Sequence, residues 1–294
     1  MRFGLVGTGH WARGTHAPAI AATAGAELVA VWGRRPEAVR PLADEHGARA
    51  YEDFDALLDA VDAVAFSVPP DVQAPLATRA ARAGKHLLLE KPIALARHDA
   101  EELADAVAAA GVASVVFFSS RFQPEAREWL ADLNTTSDWD GATAHWLGNA
   151  FGAGSPFATP WRCEKGGLWD LGPHALSILM AALGPVDRVT AEAGPRDITS
   201  LLLRHTSGAT SMTTVSIKAP DAAAVSDLVV WGPRGRSWMP AGTLPPEAAL
   251  GVALGELMAA AESGQLEHPC DVRLGREIVA VLAEAAEQRQ DRAS

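Results

Sequence analysis

The chain has 294 residues, enough for about two domains at roughly 100–200 residues each. With 48% hydrophobic and 21% charged residues, it has the composition of a chain that buries a core, which excludes a disordered one. A formal net charge of −11 disfavours nucleic acid and anionic lipid surfaces as partners.

Through residue 118 the sequence alternates between two periods. Apolar runs at 3–6, 28–32, 61–67, 86–90 and 112–118 predict strands covered on both faces. Ala-rich segments with helical spacing lie between them at 37–46, 54–60, 73–83 and 99–110. Strands alternating with helices predict βαβ units and a parallel sheet. Gly84 and Gly111 fall where helix C-caps belong. After the first strand, Gly7-Thr8-Gly9-His10-Trp11-Ala12 fits G-x-G-x-x-G/A. The first glycine permits a tight turn, and the second lets backbone approach a pyrophosphate at the helix N-terminus. This predicts a Rossmann dinucleotide site. Pro18 should bend or restart the first helix. The second strand ends Val31-Trp32-Gly33-Arg34-Arg35, with two guanidiniums and no acid for a ribose hydroxyl. Arg34 and Arg35 therefore favour NADP over NAD, because a planar guanidinium can bond two phosphate oxygens.

The character changes after residue 120. A helix is predicted at 125–133, then strands at 142–151, 186–193, 198–206, 209–218 and 223–231. Thr206-Ser207-Gly208 reads as a hairpin turn. A helix at about 170–183 interrupts the strands, and helices return at 246–263 and 273–287. The expected fold is an α/β Rossmann domain with a parallel sheet over 1–118. An α+β domain with a largely antiparallel, open-faced sheet follows over 119–294, its last helices packing back on the first domain.

Cys163 and Cys270 form no disulfide framework, which fits a reducing compartment. No signal-peptide pattern or membrane-length apolar run is visible, so a cytoplasmic location is expected. His10, His16, His145 and His205 lack metal-ligand spacing, and no metal is predicted.

The run from Ala83 to Pro92, ending Glu90-Lys91-Pro92, resembles the AGKHV-x-x-EKP motif of the Gfo/Idh/MocA oxidoreductases. Ser67-Val68-Pro69-Pro70 is similar to the family's TPN/TPP turn, and Arg121-Phe122-Gln123-Pro124 to its RF-x-P. Trp161-Arg162 resembles its WR pair, and the run from Gly166 to His174 its GGG-x-L-x-D-x-G-x-H. The segment from His268 to Asp271 and the helix after it resemble the family's last turn and helix. Three positions depart from the pattern: Gln73 stands for a histidine, Lys165 for the first glycine, and Ser177 for an acid.

The residues themselves fit proton and oxygen chemistry. Asp170 and His174 are four apart and share a face if helical, with Pro173 in the first turn of a helix starting near Gly172. Histidine suits proton transfer near neutral pH. Lys91 ends a buried strand, at the sheet edge where such folds bind ligands. The resemblance implies that His174 is the general acid/base, with Lys91 and Asp170 positioning and polarising a substrate oxygen. It also implies that Gly7, Thr8, Gly9, His10, Trp11, Ser67, Pro69, Glu90, Lys91, Trp161 and Arg162 contact the dinucleotide. Arg121 would line the substrate cleft. A sugar or cyclic polyol is the implied substrate, and a homo-oligomer through the second sheet the implied assembly. Two other readings stay open: a dinucleotide-binding regulator without turnover, and a glycoside-cleaving enzyme that oxidises its substrate transiently.

Overall fold

Short apolar runs covered on both sides build the first sheet. The computed structural model describes residues 1–291 except Ser137 and Ala153. Strands β1 (Arg2–Val6), β2 (Glu27–Trp32), β3 (Arg49–Tyr51), β4 (Ala63–Phe66), β5 (His86–Leu89) and β6 (Ser114–Val116) pair in the order β3-β2-β1-β4-β5-β6, all parallel. That order places a switch point between β1 and β4, where open parallel sheets bind ligands beyond their strand ends. Helices α2 (Pro36–Glu45), α3 (Phe54–Ala60), α4 (Pro70–Arg82) and α5 (Arg97–Ala110) connect the strands. Proline opens α2 and α4, its missing N–H falling where no helical acceptor exists. Asp53 caps α3 by accepting from Ala56 N at 3.0 Å.

The first helix restarts, as Pro18 predicts. It begins as a π turn over Ala12–His16, closed by Ala17 N to Ala12 O, and continues as α1 (Ala17–Ala22) with Pro18 in its first turn. The wider turn spares the proline ring a clash with the preceding turn.

The chain divides into two compact units: Met1–Phe122 with Leu244–Arg276, and Gln123–Thr243 with the remainder. Helix α9 (Pro246–Ser263) belongs to the first and packs on α1, β5 and β6. The turn after it reaches the β6 edge, where Val116 N donates to Cys270 O at 2.6 Å.

The second unit is built on a six-stranded sheet. Strands β7 (Gly141–Leu147), β8 (Val186–Ala193), β9 (Thr199–His205), β10 (Thr210–Ser216), β11 (Val225–Gly232) and β12 (Gly235–Trp238) run in the order β12-β11-β7-β10-β9-β8. The pairings are antiparallel except β7 with β10, which is parallel. After β7 the chain passes through α7 (Pro160–Asp170) and α8 (Gly172–Leu183) before entering at the β8 edge. Two hairpins then deliver β10 beside β7 in the same direction. Strand β9 alternates between buried and open residues, as a sheet with one covered face requires. The almost wholly apolar α8 packs on β7 and β10. Helix α6 (Pro124–Leu133) opens the unit, and α10 (Val272–Asp291) ends the chain. Gln288 of α10 covers the β8 edge: its Oε1 accepts from Ala191 N at 2.9 Å and its Nε2 donates to Val189 O at 3.0 Å. No helix among the described residues is long and apolar enough to cross a membrane.

Candidate functional site

In the first unit the sheet's strand ends form a pocket. Gly7 takes φ +129, and a Cβ there would lie 2.2 Å from Ser67 O, so the glycine loop presses directly on the end of β4. A Cβ at Gly9 would meet nothing within 4 Å, so the loop opens there. The cavity beside it measures about 410 Å³ and is lined by Gly7, Thr8, Gly9, Arg34, Arg35, Ser67 and Pro69, all expected from sequence, together with Trp32, Gly33, Val68 and Val72. Its lining holds two guanidiniums and no carboxylate. Backbone that opens ahead of a helix suits a dinucleotide's pyrophosphate, and Arg34 and Arg35 are exposed in the same lining.

His10 and Trp11 do not line this cavity, and His10 is exposed. Trp11 instead donates its indole N–H to Glu90 Oε1 at 2.7 Å. The same oxygen lies 2.9 Å from Nε2 of the fully buried His16. Gln73 grips the backbone behind that carboxylate. Its Oε1 accepts from Glu90 N at 2.8 Å and its Nε2 donates to Glu90 O at 2.8 Å. Lys91 follows half-buried, and its peptide bond to Pro92 is cis. Sequence reasoning noted Gln73 only as a departure from a pattern. Its hold on Glu90 joins residues 17 apart, which no local signal reveals. Arg121 sits half-buried in a single 3₁₀ turn, Ser119–Phe122.

In the second unit, α7 contains a break at Gly166, whose φ of 69 and ψ of −166 are non-helical. Asp170 closes that segment, and α8 begins at Gly172 with Pro173 in its first turn, as expected. Asp170 is buried, and its Oδ2 lies 3.0 Å from Arg162 Nε. The Nε–H is not aligned on that oxygen, so the contact is an ion pair. The guanidinium also stacks over Trp161, 4.6 Å from the ring centroid, and reaches Phe157 at 5.7 Å. Its Nη1 donates to Thr159 Oγ1 at 3.3 Å. His174 is half-buried on the first turn of α8, and Ser177 Oγ donates to its backbone oxygen at 2.8 Å. Among the described residues no cluster of His, Cys, Asp or Glu gathers to hold a metal.

These arrangements define a dinucleotide-binding oxidoreductase fold with a second, sheet-based domain. Residues 1–118 match the model of the oxidoreductase family with an NAD-binding Rossmann fold, and residues 135–237 match the GFO/IDH/MocA C-terminal domain. The chain belongs to the Gfo/Idh/MocA family. It is 29% identical over 225 residues to inositol 2-dehydrogenase of Rhizobium meliloti, covering 71% of this chain and 66% of that one. It is 29% identical over 243 residues to D-xylose 1-dehydrogenase (NADP(+)) 2 of Haloferax volcanii, covering 75% and 71%. In structure it resembles the UDP-N-acetylglucosamine 3-dehydrogenase of Acidithiobacillus ferrooxidans, with a TM-score of 0.83, 20% identity and coverage of 99% and 98%. That likeness is one of fold.

Proposed function

We propose that this protein is an NADP(H)-dependent dehydrogenase or reductase acting on a hydroxyl or ketone carbon of a sugar or cyclic polyol. The observation that carries the reading is the cavity at the β1–β4 switch point, with Arg34 and Arg35 in its lining and no acid there. Gly7, Thr8 and Gly9 would hold the pyrophosphate by backbone N–H groups, and Arg34 and Arg35 the ribose phosphate. When bound, the nicotinamide accepts or donates the hydride. Lys91 donates a hydrogen bond to the substrate oxygen and balances charge that develops there. His174 takes or returns the hydroxyl proton. Asp170 keeps Arg162 fixed beside the start of α8, and Arg162 binds a polar group of substrate or cofactor. Relatives named as inositol and xylose dehydrogenases support the substrate class. Two free thiols, Cys163 and Cys270, fit a reducing cytoplasm.

The second sheet supports a homo-oligomer. Its open face exposes Leu202, Met212 and Trp238, and Leu202 and Met212 are direct cross-strand partners.

The test is a panel of sugars and cyclic polyols, including myo-inositol and D-xylose, incubated with NADP⁺ and followed by formation of reduced nicotinamide. Turnover of at least one is expected. Dinucleotide binding without any turnover would favour a regulator, and cleavage of an aryl glycoside without net reduction would favour a hydrolase.

A further inference from the structure

Asp197 is a buried acid that lies outside every motif in the sequence. It sits in the turn between β8 and β9, which is closed by Gly194 N to Ile198 O at 2.8 Å. Arg196, just before it, takes φ 62, a left-handed conformation disfavoured for any residue with a side chain. Both carboxyl oxygens of Asp197 are occupied. Oδ2 accepts from Gly167 N at 2.9 Å and from Ile217 N at 3.0 Å. Oδ1 accepts from Ser216 Oγ at 2.5 Å and from Lys218 N at 3.2 Å. One side chain thus joins the β8–β9 turn, the end of β10 and the bend in α7.

That bend is where Gly166 takes φ +69 and where backbone meets backbone. A Cβ on Gly167 would lie 2.6 Å from Ser216 Cα. Asp170 follows three residues after Gly167, and His174 seven. Apolar burial holds the body of α8 on the sheet. At the bend itself, the backbone N–H of Gly167 is bonded to Asp197 Oδ2.

We propose that Asp197 is a positioning residue, which fixes the Gly166–Gly167 bend and through it the placement of Asp170 and His174. The inference rests on the catalytic reading of those two residues given above. In Asp197→Asn the new amide presents either an N–H to backbone donors or a single acceptor where two oxygens were used.

The experiment compares the wild type, Asp197→Asn, Ser216→Ala and His205→Asn. Activity is measured with NADP⁺ and whichever of myo-inositol or D-xylose the wild type oxidises faster. His205→Asn is the control for plain destabilisation: His205 is buried at the far end of β9, bonded to Gly184 O and Ser211 Oγ. Misplacement of the reacting groups should lower kcat of Asp197→Asn about 100-fold. KM should change less than about threefold, because ground-state binding is not what is lost. Loss of one of four donors in Ser216→Ala should lower kcat about fivefold. His205→Asn, at a comparable loss of melting temperature, should keep kcat. Amide hydrogen exchange at 167–170 should accelerate about tenfold in Asp197→Asn with no change at 201–205.

A folded Asp197→Asn with kcat within about twofold of wild type would overturn the proposal, since a misplaced group costs far more. So would equal losses of kcat in Asp197→Asn and His205→Asn. If the wild type turns over neither compound, activity is read with whichever member of the sugar and polyol panel it does oxidise, and inactivity across the whole panel removes the catalytic reading alone. Hydrogen exchange then decides whether Asp197 holds the bend, and unchanged exchange at 167–170 would overturn that as well.

Discussion

The indole N–H of Trp11 donates to Glu90 Oε1 across 2.7 Å, tying the end of the glycine loop to the residue before Lys91. His16, from the π turn that follows the loop, reaches the same oxygen at 2.9 Å. Glu90 therefore serves two partners from the first helix with one oxygen, while Gln73 holds its backbone. Loop and lysine are linked within one unit by side chains that pack before any ligand arrives.

Replacing Glu90 by Ala leaves two largely buried donors without an acceptor. Each such group costs about 1–3 kcal/mol, so Glu90→Ala should lose about 2–6 kcal/mol of stability. Glu90→Gln keeps an acceptor oxygen and should lose less. Urea unfolding of the three proteins checks the order, and equal stability of Glu90→Ala and wild type would contradict it.

Lys91→Ala and His174→Ala should each lower kcat by about 10²–10⁴-fold, the usual worth of a positioned acid or base. Dinucleotide affinity should stay close to wild type in both. Full turnover in either variant would remove that residue from the chemistry.

Stability should fall with acid through the buried His205 and the half-buried His86. Burial pushes the pKa of His205 down, against the smaller opposing pull of the Gly184 carbonyl, and burial lowers that of His86 as well. The unfolded chain takes up these protons at about pH 6.5, before the folded one does. Stability is therefore fully present above that pH and is lost as pH falls toward the depressed folded values. In His205→Asn the melting temperature should decline less steeply between about pH 7 and pH 5 than in wild type. Parallel declines would show that His205 does not contribute.

The proposed homo-oligomer is tested at Met212, which is 56% exposed on the open face of the second sheet. Wild type should run as a dimer or larger by light scattering. Met212→Glu places charge in the apolar surface and should shift the protein toward monomer. A monomeric wild type would contradict the assembly.

Much of this was legible because the signals are local. β5 and β8 begin where their apolar or alternating runs begin, and the glycine loop follows β1 directly. Strands β3 and β12 were not legible. β3 has three residues and pairs on one side only, and β12 is a short polar edge strand. Residues 160–169 carried no helix prediction, and the helix found there is broken at Gly166. The parallel β7–β10 pair, the Gln73–Glu90 clamp and the contacts of Asp197 join distant residues. Only tertiary packing brings such pairs together, so neither propensity nor periodicity encodes them.

The most direct test is titration of the wild type and Arg34→Ala with NADPH and NADH, read by quenching of tryptophan fluorescence. Trp32 lines the same cavity as Arg34 and Arg35. A charged hydrogen bond to phosphate is worth about 1.5–3 kcal/mol, so wild type should bind NADPH at least about tenfold more tightly than NADH. Arg34→Ala should lose most of that preference while its affinity for NADH barely changes. Equal or tighter binding of NADH by the wild type would contradict the assignment of this cavity to a phosphorylated dinucleotide.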